Sequence, residues 1–456
     1  MALSRLRHAA FPLFAWGLVL HSLAMAVLFG ALGLDMQLVR VIAAWKEIVL
    51  LILLVAICVR AGVRQSPGGA IAAPDFLIGA LVATALAYLV AANTIFRAGL
   101  PQSSQFLGFR DAVYFLLAYF VGRSAPGLVG DAIVIKRLFT LTIIICVIGI
   151  LERIFLTPEM LVALGVAAYF QEFLGLAEFT VGNEYGLPLN YWAGIGGVAV
   201  RRAGSVFLSG QGFAVPLLLL FPIALVWVFH RARTTLPNVL ALAAIGLGLL
   251  LTLTRMTIAV VFVQVVVFAA LKRRPEWALP GLAAGTALLL VLLAVFPGFA
   301  EFVWHTLTFQ ESSTASHARD WSRGLAAFFE RPWGWGLGTA DQTAVRAGLV
   351  PITGDNLYLK YSAELGILGI GLLVAIFAAI GAAAYRLFRH SATADGQRLG
   401  LIVLLATVGI ALNGITGSVF NSVPLAWLYF WMAGAAITWE QRTRGFAALA
   451  WQAVPA

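Results

Sequence analysis

Leu357-Tyr-Leu-Lys360-Tyr-Ser-Ala-Glu364-Leu-Gly366-Ile-Leu-Gly369-Ile-Gly-Leu-Leu-Val-Ala-Ile-Phe-Ala-Ala-Ile-Gly-Ala-Ala-Ala-Tyr385 is the stretch that decides the fold. It starts among polar residues, and from Ile367 onward it holds no charged side chain. A helix that crosses a bilayer needs about 20 mostly apolar residues, and this run supplies them. Working outward, similar runs lie near 10–34, 41–59, 76–96, 105–122, 138–155, 207–228, 237–253, 257–271, 277–296, 399–419 and 422–439. With 357–385 they make about twelve candidate spans by the length criterion. The whole chain agrees: 61% of its 456 residues are hydrophobic, 11% are charged, and the mean hydropathy is +0.95. Such values exclude a soluble domain. The expected class is an all-α polytopic membrane protein, with a large, partly helical loop at 297–356 between the ninth and tenth spans.

The net charge of +10 invites a nucleic-acid reading, but its distribution argues against one. With the N-terminus inside, every inner loop is basic: Arg5 and Arg7; Arg60 and Arg64; Arg123, Lys136 and Arg137; Arg231 and Arg233; Lys272, Arg273 and Arg274; Arg386, Arg389 and Arg398; Arg442 and Arg444. That is the positive-inside pattern. It puts both termini in the cytoplasm and 297–356 outside, and it makes most of the basic charge topological. Three parts follow: 1–296 with nine spans and an outer segment near 157–204, the outer loop 297–356, and 357–456 with three spans and a cytoplasmic tail. Arginines on the outer side are the informative ones, because topology does not need them. They are Arg97, Arg110, Arg201, Arg202, Arg255, Arg319, Arg323, Arg331 and Arg346.

Cys58 and Cys146 both fall in apolar runs, and neither they nor the six scattered histidines have metal-ligand spacing. No metal or cofactor is expected. Ala24-Met25-Ala26 resembles a signal cleavage site, but the apolar run continues to Leu34, which favours an uncleaved first helix.

In chain order, His21 sits near the middle of the first span, where a ring hydrogen-bonded to a neighbouring helix is the plain reading. Trp45-Lys46-Glu47 sits near the outer end of the second span, as an ion pair or as the lining of a polar cavity. Arg110 and Asp111 satisfy each other or a neighbouring helix. Pro158 to Phe179 is apolar at roughly helical spacing, as in a helix lying along the membrane surface. Arg201-Arg202-Ala-Gly204-Ser-Val-Phe207 leads into Ser209-Gly210-Gln211-Gly212, small residues that suit close backbone approach. Arg255 stands in a tight corner flanked by Thr252, Thr254 and Thr257.

The 297–356 loop contains His317-Ala-Arg319-Asp320-Trp321, then Pro332-Trp-Gly334-Trp-Gly336-Leu-Gly338, then Gly354-Asp355-Asn356. Trp321, Leu325 and Phe328–Phe329 recur at helical spacing, so a loop helix with an apolar underside is expected, with Arg319 and Arg323 on one face. The glycine series is weak as a phosphate-binding signal, because no strand precedes it.

Several outer arginines without a metal site suggest an anionic ligand, since guanidinium grips phosphate bidentately. Lipids carrying pyrophosphate-linked sugars offer such a ligand. Arg202-Ala-Gly-Ser-Val-Phe, Thr252-Leu-Thr-Arg255, Arg319-Asp-Trp321, Pro332-Trp-Gly-Trp-Gly-Leu-Gly338 and Asp355-Asn356-Leu-Tyr358-Leu…Glu364-Leu-Gly366-Ile-Leu-Gly369 occur in that order. Together they resemble the O-antigen ligase and polymerase superfamily, the Wzy-type and WaaL-type membrane glycosyltransferases. The resemblance implies a GT-C-like enzyme of the bacterial inner membrane that transfers an undecaprenyl-pyrophosphate-linked glycan on the periplasmic side, without metal. It implies that Arg202, Arg255 and, more loosely, Arg319 hold the pyrophosphate. Membrane lipid is a partner, and a flippase and a chain-length regulator are the proteins such a system would involve; nucleic acid is not.

The ligases of this superfamily carry a histidine just before the asparagine of the last motif. This chain has Asp355 there, which favours the polymerase branch, or an exopolysaccharide relative, over ligation to lipid A-core. A carboxylate can take or orient a hydroxyl proton, so Asp355 is the catalytic candidate, with Arg319. Asp355 as N-cap of the next helix is the alternative, and the two roles are compatible. Arg201, His317, Arg323, Asn356, Tyr358 and Glu364 are candidates for supporting or acceptor-site positions, Glu364 chiefly a structural one. The rival reading is a transporter, but matched halves are not visible.

Overall fold

The computed structural model describes residues 2–64, 71–96, 99–180, 183–195, 198–229, 235–277, 279, 290, 299–308, 310 and 312–452. Most of the expected ninth span, with Arg97, Arg231, Arg233, His230 and Phe309, lies outside them.

The apolar runs form long helices. They are α1 (Ala2–Ala26), α2 (Met36–Ala43), α3 (Trp45–Arg64), α4 (Ala73–Thr94), α5 (Gln102–Val113), α6 (Leu117–Ser124) and α7 (Ala132–Phe155). After the short α8 (Pro158–Ala163) come α9 (Gly210–Phe229, interrupted between Ala214 and Leu217), α10 (Leu236–Leu251) and α11 (Arg255–Lys272). The 297–356 loop holds α12 (Phe299–Leu307), α13 (Ser312–Glu330) and α14 (Asp341–Arg346); α15 (Leu357–His390), α16 (Ala394–Asn413) and α17 (Val423–Gln452) complete the chain. Among the described residues, eight helical segments are long and apolar enough to cross a membrane. The other expected runs differ in form. The 105–122 run is broken by a 3₁₀ turn at Tyr114–Leu116, α10 is a shorter apolar helix, and 422–439 lies inside α17. The chain is a multi-pass, almost wholly helical membrane protein.

Apolar patterning sorts the helices by depth. From Leu217 to Val228 every residue of α9 is buried, as expected of a helix that is hydrophobic all round. It packs against α7, α10, α11 and α16. Gln264 of α11 staples that centre, donating to the carbonyls of Leu218 (2.8 Å) and Leu405 (2.9 Å). By contrast the α2–α3 segment leaves most of its apolar surface on the periphery. Small residues bring α6 and α17 together: a Cβ on Gly122 would lie 1.9 Å from the Trp431 carbonyl oxygen, and one on Gly434 1.9 Å from that of Tyr119. At the basic end, Arg123 bridges Asp75 (2.7 Å), Thr438 (2.9 Å) and Gln441 (3.0 Å), tying α4, α6 and α17.

Pro158 to Phe179 is not one surface helix: it breaks at Gly165 (φ +82°) and Gly175 (φ +66°) into short turns. The rest of the 157–204 segment includes an antiparallel hairpin, β1 (Trp192–Ile195) with β2 (Val198–Arg201). The break has a packing reason: a Cβ on Gly30 would lie 2.4 Å from Gly165, so the segment meets the end of α1 backbone to backbone. Met25, Val39, Leu161, Tyr169 and Tyr191 form the small core beneath it. In the second loop, α13 occurs as expected, but its apolar underside is narrower. Gly324 meets Thr353 and Leu359, whereas Leu325 and Phe329 are 48% and 76% exposed.

Candidate functional site

The glycine series 334–338 has a structural occupation. Gly334, Gly336 and Gly338 all have φ between +78° and +109°, a region that side chains disfavour. The segment lies on a break in α15 at Gly366 (φ 64°, ψ −155°). Trp335 N donates to the Ala363 carbonyl (2.7 Å), Gly336 N to that of Glu364 (3.2 Å) and Ile367 N to that of Pro332 (2.8 Å). Glu364, 1% exposed, closes the splice by accepting from Gly338 N at 3.1 Å. Tyr88 donates to the Trp333 carbonyl and Arg331 stacks on Trp335 at 4.1 Å. The amides of Trp335, Gly336 and Gly338 are thus engaged with α15, and that of Gly334 with the Arg331 carbonyl.

Beyond the splice the chain turns back along itself. Asp341 N donates to the Thr353 carbonyl (2.9 Å) and Ile352 N to that of Thr339 (3.0 Å). This pairing fixes Asp355 just before α15. Asn356, not Asp355, caps that helix: its Oδ1 accepts from Leu359 N (2.9 Å) and its Nδ2 donates to the Ile415 carbonyl (2.7 Å). Tyr358 ties the same turn to α16 through the Ala411 carbonyl (2.6 Å). The cap being taken by its neighbour, the Asp355 carboxyl faces a cavity of about 770 Å³. Burial, then the charges of Asp341 and Asp320, push its pKa up to about 7. A carboxylate poised there is suited to general-base work at neutral pH.

The cavity runs from the loop layer down between α1, α3, α5 and α17. Its cations are Arg40, Lys46, Arg110 and Arg346. Lys46 pairs with Glu47 at 3.1 Å and Arg110 with Asp111 at 2.9 Å, so the Lys46–Glu47 pair is both an ion pair and cavity lining. His21, on the same wall, accepts from Trp45 Nε1 at 3.3 Å. Asp111 also accepts from Thr343 of α14 at 3.1 Å, which joins α5 to the loop.

The sequence-expected arginines are arranged in three groups. Arg201 holds the C-terminus of α7, donating to the carbonyls of Leu156, Glu152 (3.0 Å) and Arg153 (2.8 Å). Arg202 donates to the Thr252 carbonyl (2.7 Å) and Thr254 Oγ1 (2.6 Å), beside Arg255. Burial first, then the Arg255 charge, lower the Arg202 pKa to about 10. Two guanidinium groups set together are a ready partner for a multiply charged anion. The pair lies behind the start of α9: a Cβ on Gly210 would lie 2.6 Å from Arg202 Nε, while Ser209, Gln211 and Gly212 line the cavity. Arg319 and Arg323 are exposed on α13, Arg323 paired with Asp320, and His317 is half-buried on the same helix. Arg202, Arg255 and Arg319 therefore do not line the Asp355 cavity. Arg40, Arg110 and Arg346 do, and of these the outer-side position of Arg110 and Arg346 was their one sequence signal.

With this geometry in hand, comparison with protein families finds a match at residues 240–374 to the O-antigen ligase family model. The match spans under a third of the chain and supports a resemblance to the O-antigen ligase/polymerase superfamily. The matched region runs from α10 into α15 and holds the Thr252–Arg255 corner, the glycine splice and Asp355. Arg202 and most of the cavity wall lie outside it. No curated protein matches the chain. The match suggests an O-antigen ligase/polymerase-type membrane enzyme.

Proposed function

We propose that the protein polymerises undecaprenyl-pyrophosphate-linked repeat units of a surface polysaccharide at the periplasmic face of the bacterial inner membrane. The observation that carries this is Asp355: a carboxyl released from capping, held near neutrality, and opening on a cavity large enough for sugar rings. A hydroxyl of the incoming unit attacks C1 of the growing chain's lipid-linked sugar. Its proton passes to Asp355, the C1–O bond to phosphate breaks, and undecaprenyl pyrophosphate leaves with the electron pair. Arg202 and Arg255 stand behind the wall that Ser209, Gln211 and Gly212 form, and the diphosphate, where negative charge develops, passes that wall to reach them. Arg319, exposed on α13 beside Asp320, joins that anion only when the donor is bound.

Asp355 in place of the ligase histidine favours polymerisation. The family description, O-antigen ligase, favours the second reading, transfer of the glycan to lipid A-core. A gel of lipopolysaccharide from a deletion strain separates the two. Loss of a polymerase leaves core bearing a single unit, loss of a ligase leaves bare core, and normal long chains would refute both. Complementation with Asp355→Asn is expected to reproduce the deletion pattern with the protein still in the membrane.

A further inference from the structure

A second cavity, of about 530 Å³, lies at the basic end of the spans and shares no lining residue with the Asp355 cavity. It opens where α15 packs against α4 and α17. Both α15 and α17 run toward that end, and they line the cavity in the same way. From α15 come Ala379, Ala382, Ala383 and Arg386; from α17 come Ile437, Glu440, Gln441 and Arg444. Each set has the i, i+3, i+4, i+7 spacing of one helix face, and each ends on an arginine. The chain entering α4, Ile71 to Pro74, makes the third side, and Ile71 is 85% exposed there. At 1.5 Å per residue, Ala379 lies about 10 Å deeper along α15 than Arg386. The cavity is thus a slot lined by small apolar residues that starts at the level of the arginines and runs into the span.

The mouth carries a charge imbalance. Glu440, its side chain 6% exposed, accepts from both arginines, from Arg386 Nε at 2.8 Å and from Arg444 Nε at 2.5 Å. The arginine side chains are 43% and 60% exposed. The carboxylate therefore sits beneath two guanidinium groups and holds them facing outward, with one positive charge in excess. Arg386 spends only Nε on Glu440, and its two terminal nitrogens have no partner among the described residues. The neighbouring pair, Arg123 with Asp75, is balanced, and Gln441 accepts from Arg123 at 3.0 Å without adding charge. Guanidinium groups grip a phosphate, and an alanine-lined slot accepts an acyl chain. The positive-inside pattern puts this end at the cytoplasmic leaflet, where basic pockets between spans take anionic headgroups. A protein partner could meet the arginines but would not fill a slot that descends into the hydrocarbon.

We infer that this slot binds one anionic phospholipid of the cytoplasmic leaflet, its phosphodiester on Arg386 and Arg444 and an acyl chain along Ala379, Ala382 and Ile437. The site is independent of the reaction proposed above. Native mass spectrometry of the full-length protein, stripped of lipid in detergent, tests it by titration with dioleoyl-phosphatidylglycerol and, as the zwitterionic control, dioleoyl-phosphatidylcholine. The wild type is expected to take up one molecule of phosphatidylglycerol with about fivefold preference, the effect of one net cation at a lipid surface. Arg386→Gln, which leaves Arg444 on Glu440, is expected to remove the preference. Ala382→Phe, at an exposed position of the slot, fills it while leaving the ion cluster in place, and is expected to abolish the preferred site. Arg389→Gln, exposed near the same end of α15 but outside the slot, is expected to bind as the wild type does. A wild type without preference, a preference that survives either slot substitution, or an equal loss in Arg389→Gln overturns the assignment. Should Arg386→Gln fail to fold, judged by melting in detergent, Ala382→Phe decides.

Discussion

Residues 332–338 and 341–356 are neighbouring polar segments of one loop, and the structure uses them in opposite ways. The first gives the amides of Trp335 and Gly336 to α15, and the buried Glu364 closes it with a bond to Gly338. The second is held at its ends, by Asp341 and Asn356, and leaves the Asp355 carboxyl facing a cavity. The two acids teach the difference. Glu364 has a backbone donor and sits inside a helix, whereas Asp355 faces the cavity and has other carboxylates, Asp341 and Asp320, for neighbours. A saturated polar segment builds the scaffold; an unsaturated one next to it is available for chemistry.

The sharpest way to break the comparison is to disturb the splice. Gly366 has φ 64° and ψ −155°, and a Cβ there would lie 2.3 Å from the Trp333 carbonyl carbon. Backbone strain of about 1–3 kcal/mol adds to that clash, so Gly366→Ala is expected to remove most folded protein from the membrane, measured by immunoblot and by melting in detergent. Normal abundance would show that the splice is dispensable. Next in size is Asp355→Asn, expected to leave abundance unchanged and to lower the polymerisation rate about 100- to 10,000-fold.

Arg255→Ala is expected to act less strongly than Asp355→Asn, lowering the rate about 100-fold and, by relieving Arg202 of a like charge, raising the pKa of Arg202. Steady-state rates on lipid-linked substrate check it. Arg201→Met tests the adjacent residue, whose bonds go to the end of α7. It is expected to cost about 1–3 kcal/mol of stability and leave the rate per folded molecule unchanged. Asp320→Asn gives the smallest effect. Removing one of the two acids that raise the Asp355 pKa lets the carboxyl ionise at lower pH, so the acid limb of the pH–rate profile should shift downward without loss of the plateau.

Much of the fold was legible because a bilayer imposes length and polarity on the sequence. The 138–155, 257–271 and 357–385 runs became α7, α11 and α15 within a few residues. What was not legible depends on distant contacts or on a single-residue offset. Asp355 and Asn356 are both good capping residues, and only the fold assigns the cap to the second. Arg201 and Arg202 are indistinguishable in sequence, yet one caps a helix and the other sits beside Arg255. The glycines of 334–338 looked like a flexible turn because the break in α15 that receives them is set by Gly366, nearly thirty positions on. The cavity wall draws on α1, α3, α5, α14, α17 and the turns around 169–175 and 418–422, and no local pattern announces such a set.

The most direct test is a pH–rate profile of glycan polymerisation by the protein in proteoliposomes, with the Asp355→Asn variant alongside. An acid is ionised above its pKa, so the rate of the wild type should rise with pH through an apparent pKa of about 7, and that rise should be missing from the variant's residual activity. A variant that polymerises at the wild-type rate, or a wild-type profile that is flat across this range, would contradict the role given to Asp355.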